Sequence, residues 1–130
     1  MIRILHTADW HIGKRRGPVL DGVNLREKDT EQCIEALLRT AEAERPDIVM
    51  VSGDLIDVAG THSERGHHEE RVVFRAVTRL AECSGYVIVM RGTPNHDGGE
   101  FFLALSDYCR QYKNVSAVME PGVVHTECMD

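Results

Sequence analysis

The feature that most constrains the fold of this sequence is its alternation of short apolar runs with longer amphipathic stretches. The short runs are typical of buried strands, and the longer stretches repeat apolar residues at helical spacing. In chain order they predict a strand over residues 2–7, a helix over 27–44, a strand over 47–52, a helix over 67–83, a strand over 86–90, a helix over 101–112 and short strands over 115–119 and 123–126. Strands and helices in this order form right-handed βαβ units. We therefore predict an α/β fold, built on a parallel-type βαβαβ sheet with flanking helices.

The boundaries of the first helix carry two further signals. Asp29 followed by Gln32 resembles an N-terminal capping box, and Pro46 ends the helical pattern. Residues 8–25 are polar and contain glycine, so we assign them no regular element.

Composition excludes several classes of protein. The 130 residues suit one domain, 42% of them are hydrophobic, and the longest apolar runs are far too short to cross a membrane. The 15 Lys and Arg against 21 Asp and Glu leave a net charge of −6, which argues against a large phosphate-binding surface. The 4 cysteines show no close pairing and the N-terminus lacks the pattern of a secretory signal, so we expect free thiols and a cytoplasmic location.

Polar residues follow each of the first three predicted strands. They are Asp9 and His11 after the first strand, Asp54 and Asp57 after the second, and Asn95, His96 and Asp97 after the third. Ligand sites of parallel sheets lie beyond the carboxyl ends of the strands. We therefore expect the three clusters to converge at one edge of the sheet.

The residue types in these clusters suit divalent metal ions. Asp9 and His11 are two residues apart, so in an extended backbone both side chains would reach one ion. The two carboxylate oxygens of Asp54 can bridge two cations, and Asn95 offers a neutral oxygen. A set without thiolate favours Mn²⁺, Fe²⁺, Zn²⁺ or Mg²⁺. Two such ions about 3.5–4 Å apart clamp a phosphoryl group, and His96 could protonate the leaving oxygen.

Three short motifs stand out in the sequence: residues 4–14 (ILHTADWHIGK), residues 53–57 (GDLID) and residues 95–97 (NHD), the last preceded by Gly92. In this order they resemble the motifs of the calcineurin-like metallophosphoesterases. The first looks like the start of the SbcD-type DNA repair exonucleases within that family. The resemblance covers most of the chain, from residue 2 to about residue 119.

The resemblance implies specific roles. By similarity, Asp9, His11, Asp54 and Asn95 are metal ligands, with Asp54 bridging two ions and taking part in catalysis. His96 is the catalytic histidine near the leaving group. The resemblance also implies manganese as the usual metal, DNA ends as the substrate, and an SMC-like ATPase of the SbcC type as a partner.

Two departures from the family pattern matter. Thr93 and Pro94 separate Gly92 from Asn95, whereas the family motif is contiguous. The sequence also has no G-H-x-H pattern for the later metal-binding histidines. We therefore expect residues 1–130 to form the N-terminal part of a catalytic domain, the first half of an α/β/β/α sandwich. One apolar sheet face would then stay open unless a homodimer, another chain or a rearranged tail covers it.

Two readings of function follow. The first is a two-metal phosphodiesterase that hydrolyses DNA ends in repair or recombination, and the second is a truncated, non-catalytic half-domain that acts through protein association. A phosphoprotein phosphatase or cyclic-nucleotide phosphodiesterase is disfavoured, because phosphatases continue the second motif with Arg-Gly where Val58-Ala59 stands here.

Lys14, Arg15 and Arg16 lie just after the first motif. We predict that they contact the DNA backbone, with a solvated loop as the alternative. Trp10, between the first two predicted ligands, is expected to pack as a wall of the site rather than stack on a base.

Overall fold

Four parallel strands make up the main sheet in the computed structural model, which describes residues 1–57 and 64–126, with side chains from residue 68 in the second range. The elements are β1 (Ile4–Thr7), β2 (Val19–Leu20), β3 (Val23–Asn24), α1 (Leu25–Glu44), β4 (Ile48–Ser52), α2 (Glu64–Cys83), β5 (Tyr86–Met90), α3 (Gly99–Cys109) and β6 (Val115–Val118). The sheet has the strand order β1-β4-β5-β6, and each neighbouring pair is parallel. The predicted α/β class with a parallel βαβαβ sheet is confirmed.

The helices α1, α2 and α3 cover one face of the sheet. Because the strands follow one another in sequence order, right-handed crossovers place all three helices on the same side. The central strands β4 and β5 contribute Val49, Val51, Val87 and Val89 to the core, and each is 0% exposed. Phe102 of α3 is also fully buried in this core. The fold is therefore held by one apolar layer between sheet and helices.

The opposite face of the sheet carries no helix in the part of the chain that the structure describes. Its apolar side chains are exposed or half-buried, and they are Ile4, Ile48, Met50, Ile88, Met90 and Val118. Two hydrogen bonds join polar side chains of neighbouring strands on this face. His6 of β1 is bonded to Ser52 of β4 at 2.8 Å, and Tyr86 of β5 to Ser116 of β6 at 2.7 Å. The open apolar face expected from the sequence is thus present.

The first helix begins earlier than predicted. Asn24 is its N-cap, because the side-chain oxygen accepts a hydrogen bond from the backbone N–H of Glu27 at 3.1 Å. Asp29 and Gln32 therefore lie inside α1. The prediction of a capping box at these two residues is wrong, because Asn24 already satisfies an N–H group of the first turn.

A short hairpin precedes α1, within the stretch for which the sequence predicts no regular element. Its strands β2 and β3 are antiparallel, and the turn residues Asp21 and Gly22 have φ angles of 49° and 78°. Asp-Gly with two positive φ angles is a favoured two-residue hairpin turn. The Asp-Gly pair indicates such a turn in the sequence, but the two strands are only two residues long and give no periodic pattern.

The predicted strand over residues 123–126 is wrong. Residues 121–126 contain neither helix nor strand, and Val123 is 82% exposed. A strand needs a partner for its backbone groups, and Pro121 has no N–H group to donate to a neighbouring strand. His62, Val58, Ala59 and Cys128 lie outside the described residues. None of the described helices is long and apolar enough to span a membrane.

Candidate metal centre

The carboxyl ends of β1, β4 and β5 bring the three polar clusters to one edge of the sheet. The pairing of β1 with β4 continues beyond the strands, because the backbone N–H of Asp9 donates to the carbonyl of Gly53 at 3.0 Å. The N–H of His11 then donates to the carbonyl of Asp54 at 2.9 Å. The loops after the two strands are therefore joined through their backbones, and the first two motifs lie side by side.

Three predicted ligands have backbones in the left-handed region. Asp9, His11 and Asp54 have φ angles of 56°, 47° and 52°. The expectation of an extended backbone at Asp9 and His11 is wrong, because hydrogen bonds to the loop after β4 impose these turns. Asp and His tolerate this region better than most residues, and such conformations cluster at functional sites.

Two glycines allow the second and third motifs to touch. A Cβ on Gly53, which has a φ of 78°, would lie 2.5 Å from the Cα of Gly92. A Cβ on Gly92 would overlap the backbone and carboxylate of Asp54. The close approach of these loops therefore requires glycine at both positions.

The buried side chain of Asp97 joins the same two loops through hydrogen bonds. Its carboxylate is 0% exposed and accepts hydrogen bonds from the N–H groups of Leu55 at 2.8 Å and Gly92 at 2.7 Å. A buried carboxylate is tolerated where backbone donors satisfy it in this way. Asp97 thus holds the third motif against the second, a role that the sequence alone does not reveal.

The side chains at this edge form two groups that could each hold a metal ion. Asp9, His11 and Asp54 offer one ligand atom each, and these atoms lie within 4.8 Å of one another. His11, Asp57 and His96 form a second group by the same measure. His11 belongs to both, with Nε2 3.8 Å from Oδ1 of Asp9 and Nδ1 3.5 Å from Oδ1 of Asp57.

The donor set fits a divalent metal ion. Carboxylate oxygens and imidazole nitrogens suit Mn²⁺, Fe²⁺, Zn²⁺ and Mg²⁺ to different degrees, and neither group contains a thiolate. The Nδ1 atom of His11 is buried and has no hydrogen-bond partner. A buried imidazole nitrogen without a partner is costly unless a cation or a proton donor approaches it.

Asp57 lies at this edge as the sequence predicts, and the structure adds contacts that the sequence does not reveal. The Nδ1 atom of His96 lies 3.1 Å from the backbone carbonyl oxygen of Asp57 and 3.9 Å from its Oδ1. The rings of His11 and His96 contact each other edge to face, with their centroids 4.6 Å apart. Asp57 therefore contacts both histidines. The signal for it was the second Asp of the GDLID segment.

Thr93, rather than Asn95, contacts the carboxylate of Asp54. The backbone N–H of Thr93 donates to Oδ1 of Asp54 at 2.7 Å, and its hydroxyl donates to the same oxygen at 3.1 Å. Asn95 lies exposed in the following turn. The two extra residues of the third motif place Thr93 directly after Gly92, where the resemblance puts the asparagine.

Comparison with known proteins agrees with this geometry. The family model for calcineurin-like phosphoesterases matches residues 2–128. The chain belongs to the calcineurin-like phosphoesterase family. It is 34% identical over 100 residues to a protein of Staphylococcus epidermidis named as the SbcD subunit of the nuclease SbcCD, a match that covers 76% of this chain and 24% of that relative. The match thus spans about a quarter of the length of this curated relative.

The three basic residues after the first motif have different surroundings in this chain. Arg15 donates from Nη2 to Oε1 of Glu27 at 3.1 Å and lies 3.8 Å from Oε1 of Glu69. Lys14 is half-buried, and Arg16 is exposed. Two carboxylates therefore hold Arg15 within the protein. The DNA contact of all three basic residues stays a prediction.

Glu69 is a buried acid beside the first motif that sequence reasoning missed. It is 6% exposed on α2, and its carboxylate packs against Gly13 so closely that a Cβ there would collide with it. Burial raises the pKa of Glu69, which the positive charge of Arg15 opposes. Glu69 and Arg15 thus connect α2 to the loop that carries Asp9 and His11.

Trp10 packs as the sequence predicted. It is 6% exposed, and its Nε1 donates to the hydroxyl of Thr7 at 2.9 Å. The indole is therefore part of the wall of the site.

Proposed function

We propose that this chain carries the first part of a metal-dependent phosphodiesterase site that cleaves DNA ends. The observation that carries the proposal is the ligand group of Asp9, His11 and Asp54, with Asp57 3.5 Å from the same His11 ring, in a family of phosphoesterases and in a chain similar to a component of a nuclease. The ligand types favour hard or borderline divalent cations over a structural zinc site.

We propose Asp9, His11 and Asp54 as metal ligands, with Asp57 near the second ion. Asn95 stays a candidate ligand by family resemblance, although Thr93 is the residue in contact with Asp54. Two bound Mn²⁺ ions would supply Lewis-acid chemistry for phosphoryl transfer. The chain's own part is to hold the carboxylates in fixed positions through the turns described above.

His96 is the proposed proton donor to the leaving oxygen. Its Nδ1 faces a backbone carbonyl of Asp57, which can only accept a hydrogen bond, so Nδ1 carries the proton. Nε2 is then free to bind a second proton and to release it.

Domain organisation and partners are also part of the proposal. We propose that residues 1–130 are the N-terminal part of a calcineurin-like phosphoesterase domain that acts in the cytoplasm in DNA repair or recombination. An SbcC-type ATPase is the proposed partner, because the relative is named as one component of SbcCD. The open sheet face supports either association with further protein or a homodimer.

A non-catalytic half-domain is the second candidate function. The chain has no G-H-x-H motif, so fewer protein ligands are available to each ion than in the family pattern. In this reading the site binds metal weakly and the open face serves association.

A titration of Mn²⁺ by calorimetry tests the proposed site. We expect two binding events that Asp54→Ala abolishes, whereas Asp107→Ala, an exposed acid on α3, leaves them unchanged. Cleavage of end-labelled duplex DNA in Mn²⁺ should then be lost in Asp54→Ala and in His96→Ala. Weak binding at one site with no cleavage would favour the half-domain.

A further inference from the structure

A cavity of about 440 Å³ opens beside Asp9, between the end of β1 and the first half of α1. One continuous stripe of α1 forms its wall, at the spacing of a helix face. The stripe consists of Arg26, Asp29, Thr30, Cys33 and Leu37. Residues Thr7–Trp10 form the other wall, so the cavity shares Asp9 with the candidate metal centre.

Arg26 is the cationic group that this cavity offers to a ligand. Among the described residues it is the only Lys or Arg that lines the cavity, and no ion pair among them involves it. The hydroxyl of Thr30 donates to the carbonyl of Arg26, and Trp10 donates to Thr7. The carboxylates of Asp9 and Asp29 also line the cavity, and they can only accept hydrogen bonds, as from the amino or hydroxyl groups of a ligand. An exposed guanidinium without a carboxylate partner is suited to bind a phosphate.

The rest of the cavity is suited to a flat, partly apolar group. Trp10, Ile34 and Leu37 line it, and all three are buried or half-buried. Its volume lies within the range of about 300–1,000 Å³ that is usual for small-molecule sites. The cation suits the phosphate group of a nucleotide, and the apolar wall suits its sugar and base.

We propose that this cavity binds one nucleoside monophosphate unit of the substrate, next to the phosphodiester that the candidate metal centre would hold. Arg26 binds the phosphate of that unit, and the half-buried side chain of Leu37 contacts the sugar and base, with the buried Trp10 as the wall behind them. The proposal rests on the proposed phosphodiesterase function and names the part of the substrate that the chain recognises. Arg26 is then a residue for substrate binding rather than for catalysis.

Cys33 reports on occupancy of the cavity. It lines the cavity and is exposed, whereas Cys83 and Cys109 are buried, and burial raises the pKa of the Cys109 thiol to about 11. In a Cys128→Ser background, iodoacetamide should therefore label Cys33 selectively. The rate of labelling is measured without metal, in the presence of deoxyadenosine 5′-monophosphate, deoxyadenosine or inorganic phosphate.

We expect millimolar deoxyadenosine monophosphate to slow the labelling of Cys33 at least fivefold, and the nucleoside or phosphate alone to slow it less than twofold. Arg26→Ala and Arg26→Gln should both remove the protection. Arg39→Ala should keep it, because Arg39 is an exposed arginine of α1 outside the cavity, paired with Glu35 at 3.1 Å.

Two outcomes would overturn this proposal. One is no protection by the nucleotide, and the other is equal protection by phosphate alone, which would mean a simple anion site. The assay uses neither metal nor cleavage, so these results leave the proposed phosphodiesterase untouched. Protection without any cleavage of DNA would instead count against the phosphodiesterase and leave the nucleotide site standing.

Discussion

At the scale of single residues, the site depends on unusual backbone positions. Five described non-glycine residues have positive φ, and three of them are Asp9, His11 and Asp54. The other two have ordinary explanations, Asp21 in a hairpin turn and Arg45 at the C-terminus of α1. The remaining three residues are the members of the first ligand group, and strained backbone of this kind is typical of functional sites.

Substitutions at Thr93 test which residue of the third motif supports Asp54. We expect Thr93→Val to weaken Mn²⁺ binding about tenfold, because it removes the hydroxyl that holds Asp54, while Thr93→Ser preserves binding. Asn95→Ala should have a smaller effect, since Asn95 is exposed. Calorimetry measures both, and the opposite order would support Asn95 as the metal ligand of the third motif.

Gly92→Ala tests the contact between the second and third motifs. The added methyl group would collide with Asp54, so we expect a loss of about 1–3 kcal/mol in the free energy of unfolding together with weaker Mn²⁺ binding. Gly122→Ala is the matched control, because the nearest atom to its added carbon is 3.9 Å away. Urea unfolding curves give the comparison, and equal curves for the two variants would argue against the contact.

At the scale of elements, a charged clamp joins α1 to α2. Arg79 of α2 donates from Nη1 to Glu35 at 2.6 Å and from Nε to Glu42 at 2.7 Å. The hydrogen bonds from Arg79 lower the pKa values of both carboxyl groups, which lie one above the other on α1. The clamp lies on the outer side of the helices, so dissolved salt screens the attraction between its charges.

The clamp predicts a pH-dependent effect of Arg79→Met. Groups whose pKa is lowered by folding stabilise the protein above their unfolded pKa, and this contribution is lost as the pH falls through the folded pKa. We expect the variant to have a lower Tm than the parent at pH 7. The difference should shrink as the pH falls below the ordinary glutamate pKa of about 4.3 and disappear once the pH is below the lowered pKa values of Glu35 and Glu42. Arg75→Met on the same helix should show no such pH dependence. A Tm difference that is constant with pH would contradict the clamp.

At the scale of the whole molecule, the two faces of the sheet are unequal. One is sealed by helices, and the other presents half-buried apolar residues such as Met50 and Ile88. Adjacent residues of β5 therefore experience different environments, since side chains alternate between the faces. An exposed apolar face of this kind is typical of a surface that another protein layer covers.

Substitutions at two neighbouring residues of β5 compare the burial of the two sheet faces. We expect Val89→Ala to cost about 1.5–3 kcal/mol in the free energy of unfolding, because Val89 is 0% exposed. Ile88→Ala, on the open face, should cost under about 1 kcal/mol, although it removes more carbon atoms. Urea unfolding of the 130-residue chain measures both values. Equal costs would mean that the second face is covered in solution, for example in a homodimer, and size-exclusion chromatography would then show the dimer.

The sequence alone determined the order of strands and helices in the main sheet and the three motifs at its edge, because apolar periodicity and strand ends are local properties. Tertiary structure decided the rest. Thr93 meets Asp54 across 39 residues of sequence, Asp97 reaches Leu55 across 42, and Arg15 is paired with Glu27 rather than free. Contacts between distant segments depend on how the loops pack, and no pattern of neighbouring residues encodes them. For the same reason, the left-handed turns at Asp9 and His11 follow from hydrogen bonds to the loop after β4, which their own residue types only tolerate.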